Sequence, residues 1–125
     1  MGERIAGCGI DIIEIRRIAK AMERPRFSER LYTERERSLL AGRPPASWAA
    51  RFAGKEAAMK ALGTGWQKGI GFAQIEILQN DEGRPYITLH GAARETADRQ
   101  RIGELLVSLS HTAELAIAYV VAVGH

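Results

Sequence analysis

Cysteine is almost absent from this 125-residue sequence, and the single Cys8 has no partner for an internal disulfide. A chain without a cysteine framework suits a reducing compartment. Because Cys8 lies in an apolar run, we expect its thiol to be buried. Long apolar runs are also missing, since the longest, LAIAYVVAV, is shorter than the roughly 18 residues that span a bilayer. No signal peptide is recognisable, so these absences predict a cytoplasmic protein without a membrane partner.

Histidine and aromatic residues are scarce as well. The three histidines lack the spacing of a zinc site, and no second cysteine could complete one. Aromatic residues make up 6% of the chain and do not alternate with its basic stretch, so a stacking surface for single-stranded nucleic acid is not supported. We therefore expect neither a zinc site nor a nucleic-acid partner.

What the sequence does contain is ordinary for a globular protein. Hydrophobic residues make up 46% and charged residues 26%. The length suits one domain, and no shift in composition divides the chain, so we expect residues 1–125 to form a single domain.

Residue periodicity predicts an alternation of helices and hairpins. The predicted strands cover residues 5–15, 72–79, 84–90, 104–110 and 114–122, and the predicted helices cover 15–22, 34–41, 48–62 and 92–101. Thr33 with Glu36 forms a capping-box pattern, Ser47 can cap the next helix, and Gly63 can end it. Gly83 suits a tight turn. Without a repeated strand–helix–strand unit, the fold class is α+β with a largely antiparallel sheet.

The stretch RFAGKEAAMKALGTGWQKG carries an unusual pair of charges. Glu56 and Lys60 are four residues apart on an alanine-rich helix and share a face. An ordinary surface ion pair, worth a few tenths of a kcal/mol, is one interpretation. The other is a binding site, because small alanines leave room for a ligand and the helix runs into a glycine-rich loop, GTGWQKGIG.

Asp11 is a second anomaly, since it lies in the middle of the apolar run GIDIIEI. A carboxylate there is costly to bury unless it is hydrogen-bonded, paired or bound to a cation. If Asp11 on the strand meets Glu56 on the helix, the two carboxylates could bind magnesium, with waters and substrate phosphates as the other ligands. Lys60 would then neutralise phosphate oxygens.

The basic residues concentrate in residues 16–30, where six Lys or Arg face two acids. The stretch is either a solvated helix face or a docking surface for an acidic protein, and its local net charge of +4 favours docking.

Four segments together resemble a known family: GIDIIEI, FSERLYTERE, RFAGKEAAMKALGTG and VSLSHTAELAIA. In that order and spacing they are similar to the short bacterial 4′-phosphopantetheinyl transferases, the holo-acyl-carrier-protein synthase family. The resemblance covers nearly the whole chain. Gly54 stands where the family commonly has alanine, and we expect it to mark close packing against another element.

The resemblance implies an enzyme that moves the 4′-phosphopantetheine group of coenzyme A onto a serine of apo-acyl carrier protein, in support of fatty acid biosynthesis. The products are the holo-carrier protein and adenosine 3′,5′-bisphosphate. It implies a homotrimer with the coenzyme A site at a subunit interface. The implied roles are magnesium binding for Asp11 and Glu56, catalysis for Glu56 and Lys60, coenzyme A binding for Arg51, Lys60, Gly63 and His111, and carrier-protein docking for Arg17, Arg24 and Arg26.

Two other functions compete with the transferase. A non-catalytic module that binds acyl carrier protein would need the docking face alone, and a basic nucleic-acid-binding protein would show steeply salt-dependent affinity. Neither needs Asp11, Glu56 and Lys60 together. Whether Glu56 or a water takes the proton from the serine is open at this stage.

Overall fold

The computed structural model describes residues 2–64 and 69–125. The elements in chain order are β1 Arg4–Glu14, α1 Ile15–Ala21, α2 Phe27–Leu31, α3 Glu34–Leu40, α4 Pro45–Ala61, β2 Ile75–Gln79, β3 Pro85–Leu89, α5 Gly91–Arg99, β4 Ile102–His111 and β5 Leu115–Gly124. In the part of the chain that is described, no helix has the length and hydrophobicity to cross a membrane. The predicted α+β class is confirmed.

The strands form two antiparallel sheets. One has the order β1-β5-β4, and the other is the hairpin β2-β3. In the first sheet Asp11 of β1 pairs with Ala118 of β5, which pairs with Leu109 of β4. The hairpin turns at Gly83, whose φ of 84° lies in the left-handed region that glycine tolerates, as predicted.

Local chemistry explains where the helices begin and end. Thr33 caps α3, and its hydroxyl accepts from the Glu36 N–H while the Glu36 carboxylate accepts from the Thr33 N–H, so the predicted capping box is confirmed. Gly63, with a φ of 69°, follows the end of α4 as predicted. Ser47 does not cap α4, because the helix already begins at Pro45, whose ring presets φ for the first helical position.

Two other sequence predictions need correction. Residues 72–74 form a short 3₁₀ turn, so the strand predicted over 72–79 begins only at Ile75. Cys8 is exposed rather than buried. Neighbouring side chains of a strand point to opposite faces, and α4 covers only the face of the first sheet that carries Gly9 and Asp11.

Helix α4 lies unusually close to β1. A Cβ on Gly9 would overlap the backbone carbonyl of Ala57, and one on Gly7 would overlap that of Ala61. On the side facing β2, a Cβ on Gly54 would lie 2.5 Å from Ile77 Cδ1, so the close packing predicted for Gly54 is confirmed. Glycine at positions 7 and 9 lets the helix that carries Glu56 and Lys60 come close to β1.

Candidate active site

The structure brings Asp11, Glu56 and Lys60 together between β1 and α4. The Lys60 ammonium lies 3.3 Å from Asp11 Oδ1 and donates to the Ile10 carbonyl at 2.8 Å. The Asp11 side chain is 18% exposed and that of Lys60 is 54% exposed, so the pair borders solvent. Lys60 therefore reaches across to the strand, which the surface-pair interpretation of Glu56 and Lys60 did not anticipate.

The two carboxylates repel each other electrostatically. Burial raises the pKa of Glu56, the negative charge of Asp11 raises it further, and Lys60 lowers it. Both acids line one pocket of about 380 Å³, together with Arg17 and Phe52. A bound cation would relieve the repulsion that raises this pKa.

The donor set fits magnesium. Magnesium favours hard oxygen ligands, keeps several waters and is usually held by one or two carboxylates plus substrate phosphates. Within residues 2–64 and 69–125, no group of three or more His, Cys, Asp or Glu side chains is arranged to hold a metal. Asp11 and Glu56 are two carboxylates of the kind that such an ion takes, with water and phosphate as its other ligands.

A basic surface adjoins this pocket. Arg17 of α1 lines the pocket itself, and Phe27 of α2 lines both this pocket and a second concavity of about 440 Å³. The second concavity is mostly apolar and contains Arg24 and Arg26. The three predicted docking arginines thus lie along one surface that begins beside Asp11 and Glu56.

Arg51 lies elsewhere on α4. It is buried, and its guanidinium donates to Gln79 Oε1 at 3.1 Å, an oxygen that also accepts from Arg43 at 3.2 Å. Burial lowers the pKa of Arg51, and the charge of Arg43 lowers it further. Arg51 Nε is buried without a hydrogen-bond partner. This arginine does not line the pocket that holds Asp11 and Glu56.

The two other predicted coenzyme-binding residues are also apart from that pocket. His111 is exposed at the end of β4, its Nδ1 lies 3.1 Å from the Thr112 carbonyl, and it borders a separate concavity of about 580 Å³ with Pro44 and Pro45. Gly63 follows α4 in open space. The predicted glycine-rich loop continues through residues 65–68, which lie outside the described residues.

The sequence interpretation missed a buried ion pair beside the site. Lys55 and Glu36 are both fully buried, with 2.8 Å between Nζ and Oε1. The sequence pattern assigns Glu36 only to a capping box and gives Lys55 no role. A lysine one turn after Arg51, on an alanine-rich helix, was the available signal that this face meets a polar interior.

Comparisons with known proteins place the chain in one family. The family model described as "4'-phosphopantetheinyl transferase superfamily" matches residues 7–120. A protein of Alkaliphilus metalliredigens named holo-[acyl-carrier-protein] synthase is 50% identical over 121 residues, covering 94% of this chain and 98% of that protein. A second protein of that name, from Solidesulfovibrio magneticus, is 44% identical over 122 residues, covering 96% and 99%.

A solved structure supports the same relationship. The Helicobacter pylori holo-[acyl-carrier-protein] synthase, solved in complex with coenzyme A, superimposes with a TM-score of 0.82 at 39% identity. The match covers 92% of this chain and 98% of that one.

Proposed function

This chain belongs to the 4′-phosphopantetheinyl transferase superfamily, and we propose that it transfers the 4′-phosphopantetheine group of coenzyme A to a serine of apo-acyl carrier protein. The reaction releases adenosine 3′,5′-bisphosphate, requires magnesium and supports fatty acid biosynthesis. The observation that carries the proposal is the meeting of Asp11, Glu56 and Lys60 beside one pocket. A cytoplasmic location suits the exposed free thiol of Cys8.

The transfer exchanges one phosphorus–oxygen bond for another. The serine oxygen attacks the β-phosphorus of coenzyme A, the bond to the bridging oxygen breaks, and the bisphosphate leaves with the electron pair. Such a reaction is accelerated mainly by positioning and by stabilising charge on the phosphate oxygens. Bound magnesium supplies charge neutralisation at the pyrophosphate.

Asp11, Glu56 and Lys60 have different roles in this reaction. Asp11 and Glu56 would hold the cation, and Lys60, which lies beside Asp11 and is half exposed, would offer its ammonium to the phosphates. The serine proton passes either to Glu56 or to a water. Glu56 is a candidate for that role because its carboxylate lines the pocket at which the serine would arrive.

The transfer should be directly measurable and metal-dependent. Incubation with an apo-acyl carrier protein, coenzyme A and magnesium should add the mass of one phosphopantetheine to the carrier protein, and EDTA should prevent the addition. Intact-protein mass spectrometry resolves the two carrier forms. Carrier binding without any mass gain, across several apo-carriers, would indicate a non-catalytic binding module instead.

Carrier-protein docking is assigned to Arg17, Arg24 and Arg26. Their support is that Arg17 lines the pocket while Arg24 and Arg26 line the adjoining concavity, so an acidic carrier docked there would bring its serine toward Glu56.

Charge reversal at this surface should act on one substrate only. Arg17→Glu should raise the KM for carrier protein about tenfold or more while leaving the KM for coenzyme A nearly unchanged, since like charges at a docking site cost several kcal/mol. The matched control is Arg99→Glu, because Arg99 is exposed on α5 and does not line the pocket. Equal effects on the two KM values would show that Arg17 does not belong to the docking surface.

The proposal includes a homotrimer whose coenzyme A sites lie between subunits. Arg51, His111 and the pair Asp11–Glu56 occupy separate parts of one chain, so a site using all of them draws on more than one copy. A second support is the outer face of the first sheet, which is unusually apolar for a surface. It exposes Ile10, Ile12, Leu106 and Tyr119 by 46% to 57%.

A charged side chain on that face should dissociate the trimer. Tyr119→Arg would place a cation in an apolar contact without a partner, which is strongly unfavourable. Light scattering should give about three times 13.8 kDa for the parent protein and a single-chain mass for the variant. A parent protein that is monomeric at micromolar concentrations would contradict the assembly.

A further inference from the structure

The ion pair between Lys55 and Glu36 lies one residue from the metal-binding candidate Glu56. Both of its side chains are 0% exposed, so it is fully enclosed by protein. Charged residues are almost never buried to this extent without complete pairing. The other hydrogen bonds of Lys55 and Glu36 therefore show which elements the pair connects.

Lys55 uses all three hydrogens of its ammonium. Nζ donates to Glu36 Oε1 at 2.8 Å, to the Phe72 carbonyl at 3.0 Å and to the Ile75 carbonyl at 2.6 Å. Two of these acceptors belong to the backbone segment that leads from the glycine-rich loop into β2. The ammonium also lies 5.4 Å from the centre of the Tyr32 ring.

Glu36 extends the same network to α3 and β2. Its Oε1 accepts from the Thr33 N–H at 2.9 Å, and its Oε2 accepts from the Ile77 N–H at 2.8 Å. The ion pair therefore joins α3, α4 and β2 through bonds with defined directions. Apolar packing would hold these elements together without fixing their angles in this way.

The opposite side of α4 rests against β1. Gly9 allows that approach, because a Cβ there would lie 2.8 Å from Lys60 Cβ and 3.0 Å from the Ala61 nitrogen. Successive helical residues are about 100° apart, so Lys55 faces α3 and β2 while Glu56 faces toward Asp11. A rotation of α4 that moved Glu56 away from Asp11 would have to break the bonds of Lys55.

Stability alone is a weak explanation for this pair. Replacing a buried ion pair by apolar residues of similar volume is often neutral or stabilising, because two charges no longer have to be desolvated. An apolar pair would lack the directed hydrogen bonds that determine the rotation of α4 about its axis.

We propose that Lys55 and Glu36 are a positioning pair that sets the rotation of α4 and thereby holds Glu56 at the separation from Asp11 that binds a divalent cation. Neither residue touches the cation or the substrate. The inference rests on the proposed assignment of Asp11 and Glu56 as metal ligands, and it adds two residues that determine metal affinity from within the core.

The test is metal binding by a variant that loses both charges together. Lys55→Met with Glu36→Gln removes the ion pair without leaving one charge buried alone. Mn²⁺ replaces Mg²⁺ as the probe, and electron paramagnetic resonance with coenzyme A present gives its Kd without any turnover. We expect a folded variant by circular dichroism, with a Kd raised about 10- to 100-fold, the range typical for residues that orient metal ligands. The KM for carrier protein should stay within about twofold, because such residues act through the metal ligands.

One control variant and two contrary outcomes determine how the measured Kd is interpreted. Arg94→Met with Asp98→Asn makes a matched change at an exposed ion pair on α5 and should leave the Kd unchanged. An unchanged Kd in the Lys55→Met, Glu36→Gln variant, or unfolding of this variant, would overturn the proposal and leave the pair a purely structural role. A parent protein that binds Mn²⁺ through Asp11 but transfers nothing would overturn the proposed function while leaving the positioning inference intact.

Discussion

Asp11→Asn should lower the rate of phosphopantetheine transfer by about a thousandfold, and Glu56→Gln should do the same. Each change keeps the size of the side chain but removes the charge of one of the two carboxylates that we propose as metal ligands. A metal at the phosphates contributes several kcal/mol of charge stabilisation, and each 1.36 kcal/mol changes the rate by about tenfold. Steady-state transfer to carrier protein, measured over a range of magnesium concentrations, would give both the rate and the metal dependence.

Both variants should remain folded. Burial and the negative charge of Asp11 both raise the pKa of Glu56, so Glu56→Gln removes an unfavourable charge. In Asp11→Asn the relieved repulsion is offset by a weaker contact with Lys60, which lies 3.3 Å from Asp11 Oδ1. Thermal unfolding without metal should therefore occur at the same temperature or slightly higher. Glu95→Gln, an identical change at an exposed position on α5, is the control for activity. Wild-type rates in both site variants would show that the metal assignment is wrong.

The elements that follow local chemistry were predictable from the sequence. Thr33 and Glu36 cap α3 because the required partners are three residues apart, and Gly83 turns the hairpin because its backbone needs a positive φ. The meeting of Asp11 with Glu56 was also predictable, although only as a conditional statement. A carboxylate in an apolar strand and another on an alanine-rich helix both needed an explanation, and a shared cation is the one that we propose.

Features that depend on tertiary contacts were not predictable in the same way. Cys8 lies in an apolar run, yet it is exposed because α4 covers only the opposite face of the sheet. The apolar run is typical of a strand whose sheet is covered on both faces. In our proposal, α4 covers one face and other copies of the chain cover the other. From a single sequence, an apolar residue buried within the chain cannot be distinguished from one buried between chains.

The buried ion pair illustrates the same limit more sharply. The capping-box pattern accounted for one of the bonds of Glu36, so nothing in the sequence required another partner for its carboxylate. Lys55 lies 19 positions further along, and only the fold brings its Nζ to within 2.8 Å of that carboxylate. Long-range polar contacts of this kind are decided by packing rather than by periodicity.

Gly9→Ala should destabilise the protein by about 1–3 kcal/mol, the usual cost of inserting a methyl group into a packed core. The expected sign is the reverse of the general rule, since alanine in a strand is normally more stable than glycine by about 0.5–1 kcal/mol. At Gly9 the new Cβ would overlap the Ala57 carbonyl of α4 and lie 2.8 Å from Lys60 Cβ. Backbone atoms cannot move aside as a flexible side chain can, so β1 and α4 must separate.

The same separation should damage the active site, because Asp11 follows Gly9 by two residues on the same face of β1 and Lys60 lies on the helix that is displaced. A displacement of about 1 Å can cost about a hundredfold in rate. We therefore expect Gly9→Ala to lose metal-dependent transfer at temperatures where it is still folded, as measured by transfer rate and urea unfolding on the same sample. Gly2→Ala, at a position with nothing within 4 Å, should change neither quantity. A Gly9→Ala variant that loses stability but keeps the parent rate would mean that α4 can move from β1 without moving the metal ligands apart, and the close approach of helix and strand would then serve the core alone.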